Sequence, residues 1–419
     1  MPQFRSTSSS TSSSSPPPLP QKKKKSPPSP PRPSSSILLL SPTNEVLLLH
    51  RVQTSSSFPS AHVFPGGNCE AFHDGEVPAD VDARHADGPA YRWAAVRECF
   101  EESGILLARR EGEEGECRLA RVEAGEMERA RKEVHAGTRR FGDVLAEWGV
   151  TPDVDNLVPF TRWVTPTNVP KRFTTQMYLY LMPLAAAAAR EGNNPSLPLD
   201  HDHDHEAVIP LPTPDGGVEH TAARFAPAHA WLDAARAGDI ILFPPQFFLL
   251  HLVAQHMIKP SPPPPHPPFS SFCPSPSSSS SSSPSSSQQQ EQQHSLLQSQ
   301  RASLLSFVRE GRWGEKCISP SVVGGGRRRS DGRLVLALDK PGPELEGSGR
   351  EGVRDHVVLV DFRKEGPRRV EVGLRDEVLA EERRAVGEQG GRVWMQSWLA
   401  ADRAFLDTSC ISRFVRGCD

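Results

Sequence analysis

The sequence predicts an α+β fold, read as a mixed sheet layered between helices, with low-complexity segments outside it. Three observations predict this. Short apolar runs bounded by turn residues are interspersed with helical stretches, but without the regular strand–helix–strand alternation of a parallel sheet. No internal repeat is evident. Two Pro/Ser-rich blocks, 1–35 and 259–293, carry too little apolar surface to offset chain entropy and are expected to be disordered. Of 419 residues, 36% are hydrophobic and 42 are proline, so removing those blocks leaves about 350 residues for folded structure.

In chain order, 36–52 (SILLLSPTNEVLLLHRV) holds two apolar runs around a Pro-Thr-Asn turn and reads as a β-hairpin. His62–Phe64 ends a short strand, and Pro65-Gly66-Gly67 makes a tight loop. Residues 68–89 are rich in Gly, Asp, His and Pro and read as an irregular insertion. Residues 90–110 are helical until Gly104. The charged stretch 118–148 reads as one or two surface helices, and 157–184 as a strand pair. A strand and a helix follow in 218–238, with Pro227 at the helix start. Pro244-Pro245 opens an apolar helix within 239–258, and 295–311 is a further helix. RLVLALD (333–339) and HVVLVDF (356–362) are strands. This divides the chain into a tail (1–35), a main domain (36–258), a disordered insertion (259–293) and a C-terminal helical and strand extension (294–419).

The net charge of −3 offers no electrostatic case for nucleic acid. No apolar run reaches the ~20 residues of a membrane span. The first 44 residues lack Asp and Glu and include Lys22 to Lys25, which is compatible with a transit peptide, although the prolines disfavour the amphipathic helix one needs. The seven cysteines are scattered with no CxxC, which fits a reducing intracellular compartment, mitochondrial or cytosolic. The C-terminus is not a Ser-Lys-Leu address.

The chemistry concentrates in RECFEESGI, Arg97 to Ile105. On a helix, Glu101 and Glu102 fall within about 60° of Glu98, while Trp93, Val96 and Phe100 fall on the opposite side. Three like charges within one turn repel one another, and only Arg97 lies beside them. A solvated face is the ordinary explanation of such a cluster. A divalent cation would instead turn the repulsion into ligation, since Mg²⁺ and Mn²⁺ take hard oxygen donors and bridge carboxylates to phosphates.

R-E-C-F-E-E-S-G-I matches every fixed position of the second half of the Nudix hydrolase signature, G-x5-E-x7-R-E-U-x-E-E-x-G-U, and Val-Phe-Pro-Gly-Gly resembles its usual lead-in. The resemblance implies a Nudix-type α/β/α sandwich with a mixed sheet, and hydrolysis of a nucleoside diphosphate linked to another moiety. It implies that Glu98, Glu101 and Glu102 bind Mg²⁺ or Mn²⁺, that Arg97 holds them by ion pairing, and that Gly66 and Gly67 approach the metal and substrate. One departure stands out. The family's arginine lies fourteen positions after the glycine, whereas Gly67 to Arg97 is thirty, and the first glutamate's place falls on Pro89. Nothing acidic holds that place, although Glu70, Asp74, Glu76 and Asp87 are near.

That interruption, together with VLLLHR (46–51), R-W-A-A-V-R (92–97), W-V-T-P (163–166), Lys171-Arg172-Phe173 and PPQF (244–247), resembles the acyl-coenzyme A diphosphatase branch. The resemblance implies a coenzyme A-type substrate cleaved to 3′,5′-ADP and (acyl-)phosphopantetheine. Arg51, Lys171 and Arg172 are then candidates to grip phosphates, and Glu219 is a candidate late-loop carboxylate near the metal. Two alternatives stay open: a Nudix pyrophosphatase for NADH, ADP-ribose or capped RNA, and a non-catalytic Nudix-fold binding module. HDHDH (201–205) reads as a solvated insertion. GGGRRR (324–329) reads as a flexible basic loop, because it lacks the Gly-Lys-Ser/Thr ending of a phosphate-binding loop.

Overall fold

The computed structural model describes residues 29–52, 60–110, 119–184, 212–213, 220–257, 286–323, 328–382 and 384. Glu219, HDHDH and Gly324 to Arg327 lie outside the described residues.

The strands are β1 (Arg32–Leu40), β2 (Val46–Arg51), β3 (His62–Val63), β4 (Gly66–Asn68), β5 (Ala108–Arg110), β6 (Val150–Pro152), β7 (Val158–Val164), β8 (Phe173–Leu181), β9 (His220–Ala226), β10 (Cys317–Ile318), β11 (Ser321–Val322), β12 (Leu334–Leu338), β13 (Val353–Arg363) and β14 (Gly366–Leu374). The helices are α1 (Ala71–Asp74), α2 (Val81–Arg84), α3 (Pro89–Ser103), α4 (Ala124–His135), α5 (Phe141–Glu147), α6 (Ala228–Ala237), α7 (Pro244–His256) and α8 (Ser286–Glu310). The main sheet runs β10-β7-β8-β1-β2-β3, with β4 added on β1 and β9 on β2. It is mixed: β1 is parallel to β8 and β10 is parallel to β7, while β2, β4 and β9 pair antiparallel. A four-stranded antiparallel sheet, β11-β12-β13-β14, lies beside it.

Alternation along β1 and β2 separates two cores, because successive side chains point to opposite faces. Ile37, Leu39, Leu47 and Leu49 pack against α3, α4 and α5 through Val96, Phe100, Val134 and Phe141. Leu38, Leu40, Val46 and Leu48 pack on the other face against α6, α7 and α8 through Trp231, Phe247, Phe248 and Leu304. The result is helices on both faces of a mixed sheet.

The 36–52 hairpin forms as expected, turning at Asn44, whose φ of 61° suits the left-handed turn that asparagine tolerates. The tail boundary at residue 35 is corrected. β1 begins at Arg32, and Ser34 and Ser35 are buried between Thr175 and Gln176 of β8 on one side and Gly67 and Asn68 of β4 on the other. A serine strand shows no apolar alternation, so its backbone pairing was invisible to composition. The insertion 68–89 is likewise not wholly irregular, since it carries the single turns α1 and α2. Helix α8 starts at Ser286, inside the block expected to be disordered, where glutamines are compatible with an exposed helix.

The described part of 294–419 is built into the domain rather than appended to it. Leu304, Trp313, Ile318, Leu336, Val358 and Val360 join the core that α7 forms with the main sheet. Arg301 of α8 makes the tie explicit. Its guanidinium donates to Asn44 Oδ1 (2.7 Å), Met182 O (2.6 Å) and Ser41 O (2.8 Å), stitching α8 to the β1–β2 turn. Burial without a carboxylate partner pushes its pKa down to about 10. Arg328 and Arg329, read as part of a loose basic loop, are paired with Asp361 and with Glu381 and Glu382.

Arg301→Met keeps apolar bulk but removes three charge-assisted bonds. The variant is expected to lose roughly 2 kcal/mol in urea unfolding. An unchanged midpoint would show that α8 is held by its apolar face alone.

Candidate functional site

Helix α3 carries the predicted carboxylates. Pro89 sits in its first turn, and Gly104 ends it in the left-handed region at φ 72°, where its N–H donates to Phe100 O. The helix has the expected apolar side and carboxylate side, and the carboxylate side is not a solvated face. Val96 and Phe100 are fully buried, but so are the functional side chains: Arg97 is 2% exposed, and Glu98, Glu101 and Glu102 are 9%, 7% and 6% exposed. β4, α1, α4 and the start of β9 cover the carboxylate side.

Arg97 lies at the centre. Its Nη1 is 2.8 Å from Glu101 Oε1 and 2.9 Å from Glu98 Oε1. Its Nε and Nη2 make a bidentate pair with Asp74, at 2.9 Å to Oδ1 and 2.8 Å to Oδ2. Nη2 also donates to Asn68 O at 2.9 Å. Burial opposes the guanidinium's charge, but Glu98, Asp74 and Glu101 together more than offset it, so its pKa lies above the ordinary arginine range. Burial raises Glu98 well above the usual carboxylate range, and Arg97 only partly offsets this while Glu101 adds to it. The cluster therefore holds more buried carboxyl groups than its one guanidinium pairs with, and burial favours the neutral form of Glu98.

The loop before the insertion closes onto this cluster. Gly66 N–H donates to Glu102 Oε2 at 2.7 Å. A Cβ at Gly67 would lie 2.4 Å from Glu98 Oε1, so a side chain there would displace the Glu98 carboxylate. Two histidines complete the rim: His135 Nδ1 is 3.3 Å from Glu101 Oε2, and the fully buried His220 Nε2 is 3.7 Å from Glu102 Oε1. Arg131 of α4 donates through Nε to the Glu101 carbonyl at 2.5 Å, placing a cation at the C-terminal turn of α3.

Of the sequence-predicted residues, Arg97, Glu98, Glu101, Glu102, Gly66 and Gly67 meet here. Arg51 ends β2 as the register partner of His220. Lys171 is exposed in the turn before β8 and makes no contact with the carboxylates among the described residues. Arg172 is corrected as a phosphate ligand. Its side chain is 1% exposed and engaged with Glu344 (2.5 Å), Thr165 O (3.0 Å) and Ser29 O (3.0 Å), so its charge is already used in packing. Asp74, His135 and His220 were not picked out. Asp74 was one of six acidic residues in the insertion with nothing in sequence to choose between them, and neither histidine has a local signal.

A fit to a divalent cation rests on this donor set: hard carboxylate oxygens, buried, in excess of their guanidinium. As placed, however, the side chains turn toward Arg97 and Gly66, and among the described residues no three His, Cys, Asp or Glu side chains form a ready metal cluster.

The family model described as the NUDT19 Nudix domain matches residues 75–193, which include α3 and its signature. Over those residues the chain is similar to a Nudix domain. A Caenorhabditis elegans protein whose name assigns it to the nudix hydrolases is 32% identical over 140 residues, covering 33% of this chain and 40% of that one. The Xenopus laevis protein named acyl-coenzyme A diphosphatase NUDT19 is 30% identical over 159 residues, covering 29% of this chain and 42% of its own. The chain thus spans less than half the length of these relatives. A crystal structure of a NUDIX hydrolase from Alicyclobacillus acidocaldarius aligns at TM-score 0.38 and 22% identity, covering 54% of this chain and 92% of that one. No described helix is long and apolar enough to cross a membrane.

Asp74→Ala should cost roughly 3 kcal/mol, because it strips a buried guanidinium of its bidentate partner. Chemical denaturation reads this directly, and a loss under about 1 kcal/mol would mean that Glu98 and Glu101 suffice to hold Arg97.

Proposed function

We propose that the chain is a divalent-metal-dependent hydrolase of the diphosphate bond in coenzyme A or acyl-coenzyme A, giving 3′,5′-ADP and (acyl-)phosphopantetheine. The observation that carries the reading is the buried set of Glu98, Glu101 and Glu102 around Arg97, closed by Gly66 and Gly67. The relatives named as acyl-coenzyme A diphosphatases support the substrate class.

Glu98, Glu101 and Glu102 would hold Mg²⁺ or Mn²⁺. When bound, the cation lowers the pKa of a water and neutralises diphosphate charge. The chain's own groups have separate tasks. Arg97 orients Glu98 and Glu101, and Asp74 fixes Arg97 in turn. The Gly66 amide holds Glu102, and the bare Gly67 backbone leaves room beside Glu98. Arg51, the register partner of His220, is the candidate to pair with a substrate phosphate. Glu219, which immediately precedes β9, is the candidate to take a proton from the attacking water.

Glu101→Gln combined with Glu102→Gln should reduce turnover by about 10³-fold, the loss of several kcal/mol of charge stabilisation, with an unchanged circular dichroism spectrum. Retained turnover in that folded double variant would sink the assignment. A substrate panel with Mn²⁺ tests the specificity: coenzyme A esters should be cleaved fastest. Faster turnover of NADH, ADP-ribose or a capped RNA end would instead select another diphosphate substrate.

A further inference from the structure

A cavity of about 490 Å³ lies at the other end of α3, and none of the carboxylate cluster lines it. Its wall is made by the segment leading into α3 (His85 to Asp87), by Arg162 and Gln176 on β7 and β8, by residues 312–316, and by residues 349–351. The C-terminal part of the chain therefore completes it.

The charges around it do not cancel. Each acidic lining residue has a cation of its own: Asp87 pairs with Arg92, Glu315 with Arg312, and Glu351 with Arg354. Three lining cations have no carboxylate partner among the described residues. Arg162, only 2% exposed, donates to neutral acceptors: Thr174 Oγ1 (3.2 Å), Ala86 O (2.8 Å) and Gln176 Oε1 (2.9 Å). Its face lies over the Tyr91 ring at 4.4 Å. Arg350 donates to the His85 carbonyl. Lys316 is half-buried, and its ammonium group has no ion pair among the described residues. Burying a guanidinium without a counter-charge is costly unless an anion completes it.

A second, independent observation points to a ligand. His85 is 2% exposed and lines the cavity, yet its Nε2 has no hydrogen-bond partner. Its Nδ1 lies 2.8 Å from Val81 O, so Nδ1 carries the proton and Nε2 presents a lone pair. A buried acceptor of this kind is completed by a hydroxyl or N–H group.

We infer that this cavity is a second binding site, separate from the catalytic carboxylates, for a phosphate monoester that also carries a hydroxyl group, as in a sugar phosphate. Arg162, Arg350 and Lys316 take the phosphate, and His85 Nε2 accepts the hydroxyl hydrogen. The site is independent of metal.

The test is calorimetric titration of the full chain in EDTA with two probes, inorganic phosphate and ribose 5-phosphate. Saturable binding of both is expected, with ribose 5-phosphate tighter. Lys316→Gln and Arg350→Gln should each weaken it by roughly tenfold or more, as one lost charge-assisted bond does, while both variants unfold near the wild-type temperature. The Glu101→Gln/Glu102→Gln protein should bind both probes undiminished. Loss of binding there would move the phosphate to the catalytic carboxylates and overturn the inference. So would the absence of binding to the wild type, or affinities untouched by Lys316→Gln and Arg350→Gln. Equal affinity for the two probes would keep the anion site but remove His85 from it.

Discussion

The Arg97 guanidinium is the interaction on which the rest of the site depends. It is buried with three carboxylates, from Asp74, Glu98 and Glu101, within hydrogen-bonding distance. Without it, the carboxylate side of α3 could not be covered, since like charges in a low-dielectric setting repel strongly. With it, α1, β4 and α4 close over the helix. The inserted segment then acquires a structural purpose. It separates the glycines from the signature arginine along the chain, but α1 returns Asp74 to the arginine from the far side.

The same closure explains why two glycines come first in the loop. Gly66 gives its amide to Glu102, and Gly67 leaves the Glu98 carboxylate the space that a side chain would take. β4 is in turn held by β1, whose first residues are Arg32 to Ser35. A Ser/Pro stretch with no apolar pattern thus becomes a buried strand between β8 and β4. One row of register partners, Arg162, Gln176, Ser35 and Gly67, runs across the sheet from the polar cavity to the loop beside the carboxylates. The two sites share a sheet face, while their charge balance is opposite: excess carboxylate at one, unpaired cations at the other.

The two ends of the folded chain are also less separate than composition suggests. The Pro/Ser block before α8 looks like a divider, yet the residues beyond it supply Trp313 and Leu304 to the main core, β10 to the main sheet and part of the cavity wall. Low complexity marks where a chain lacks a core of its own. It does not mark where a core shared across it begins or ends.

What the sequence determined by itself was local: the 3.6-residue period that puts Glu98, Glu101 and Glu102 on one side of α3, the Gly104 stop, the apolar hairpin, and the signature that resembles the Nudix one. These are set within a few residues, so their spacing is enough to read them. The tertiary structure alone decided which acidic residue meets Arg97, that His135 and His220 border the carboxylates, that Arg172 pairs with Glu344, and that His85 and Arg162 line one cavity. Each of these pairs residues far apart in the chain. Such pairings are chosen by strand register and by the need to match every buried charge and hydrogen-bonding group, and neither leaves a mark on the neighbouring sequence.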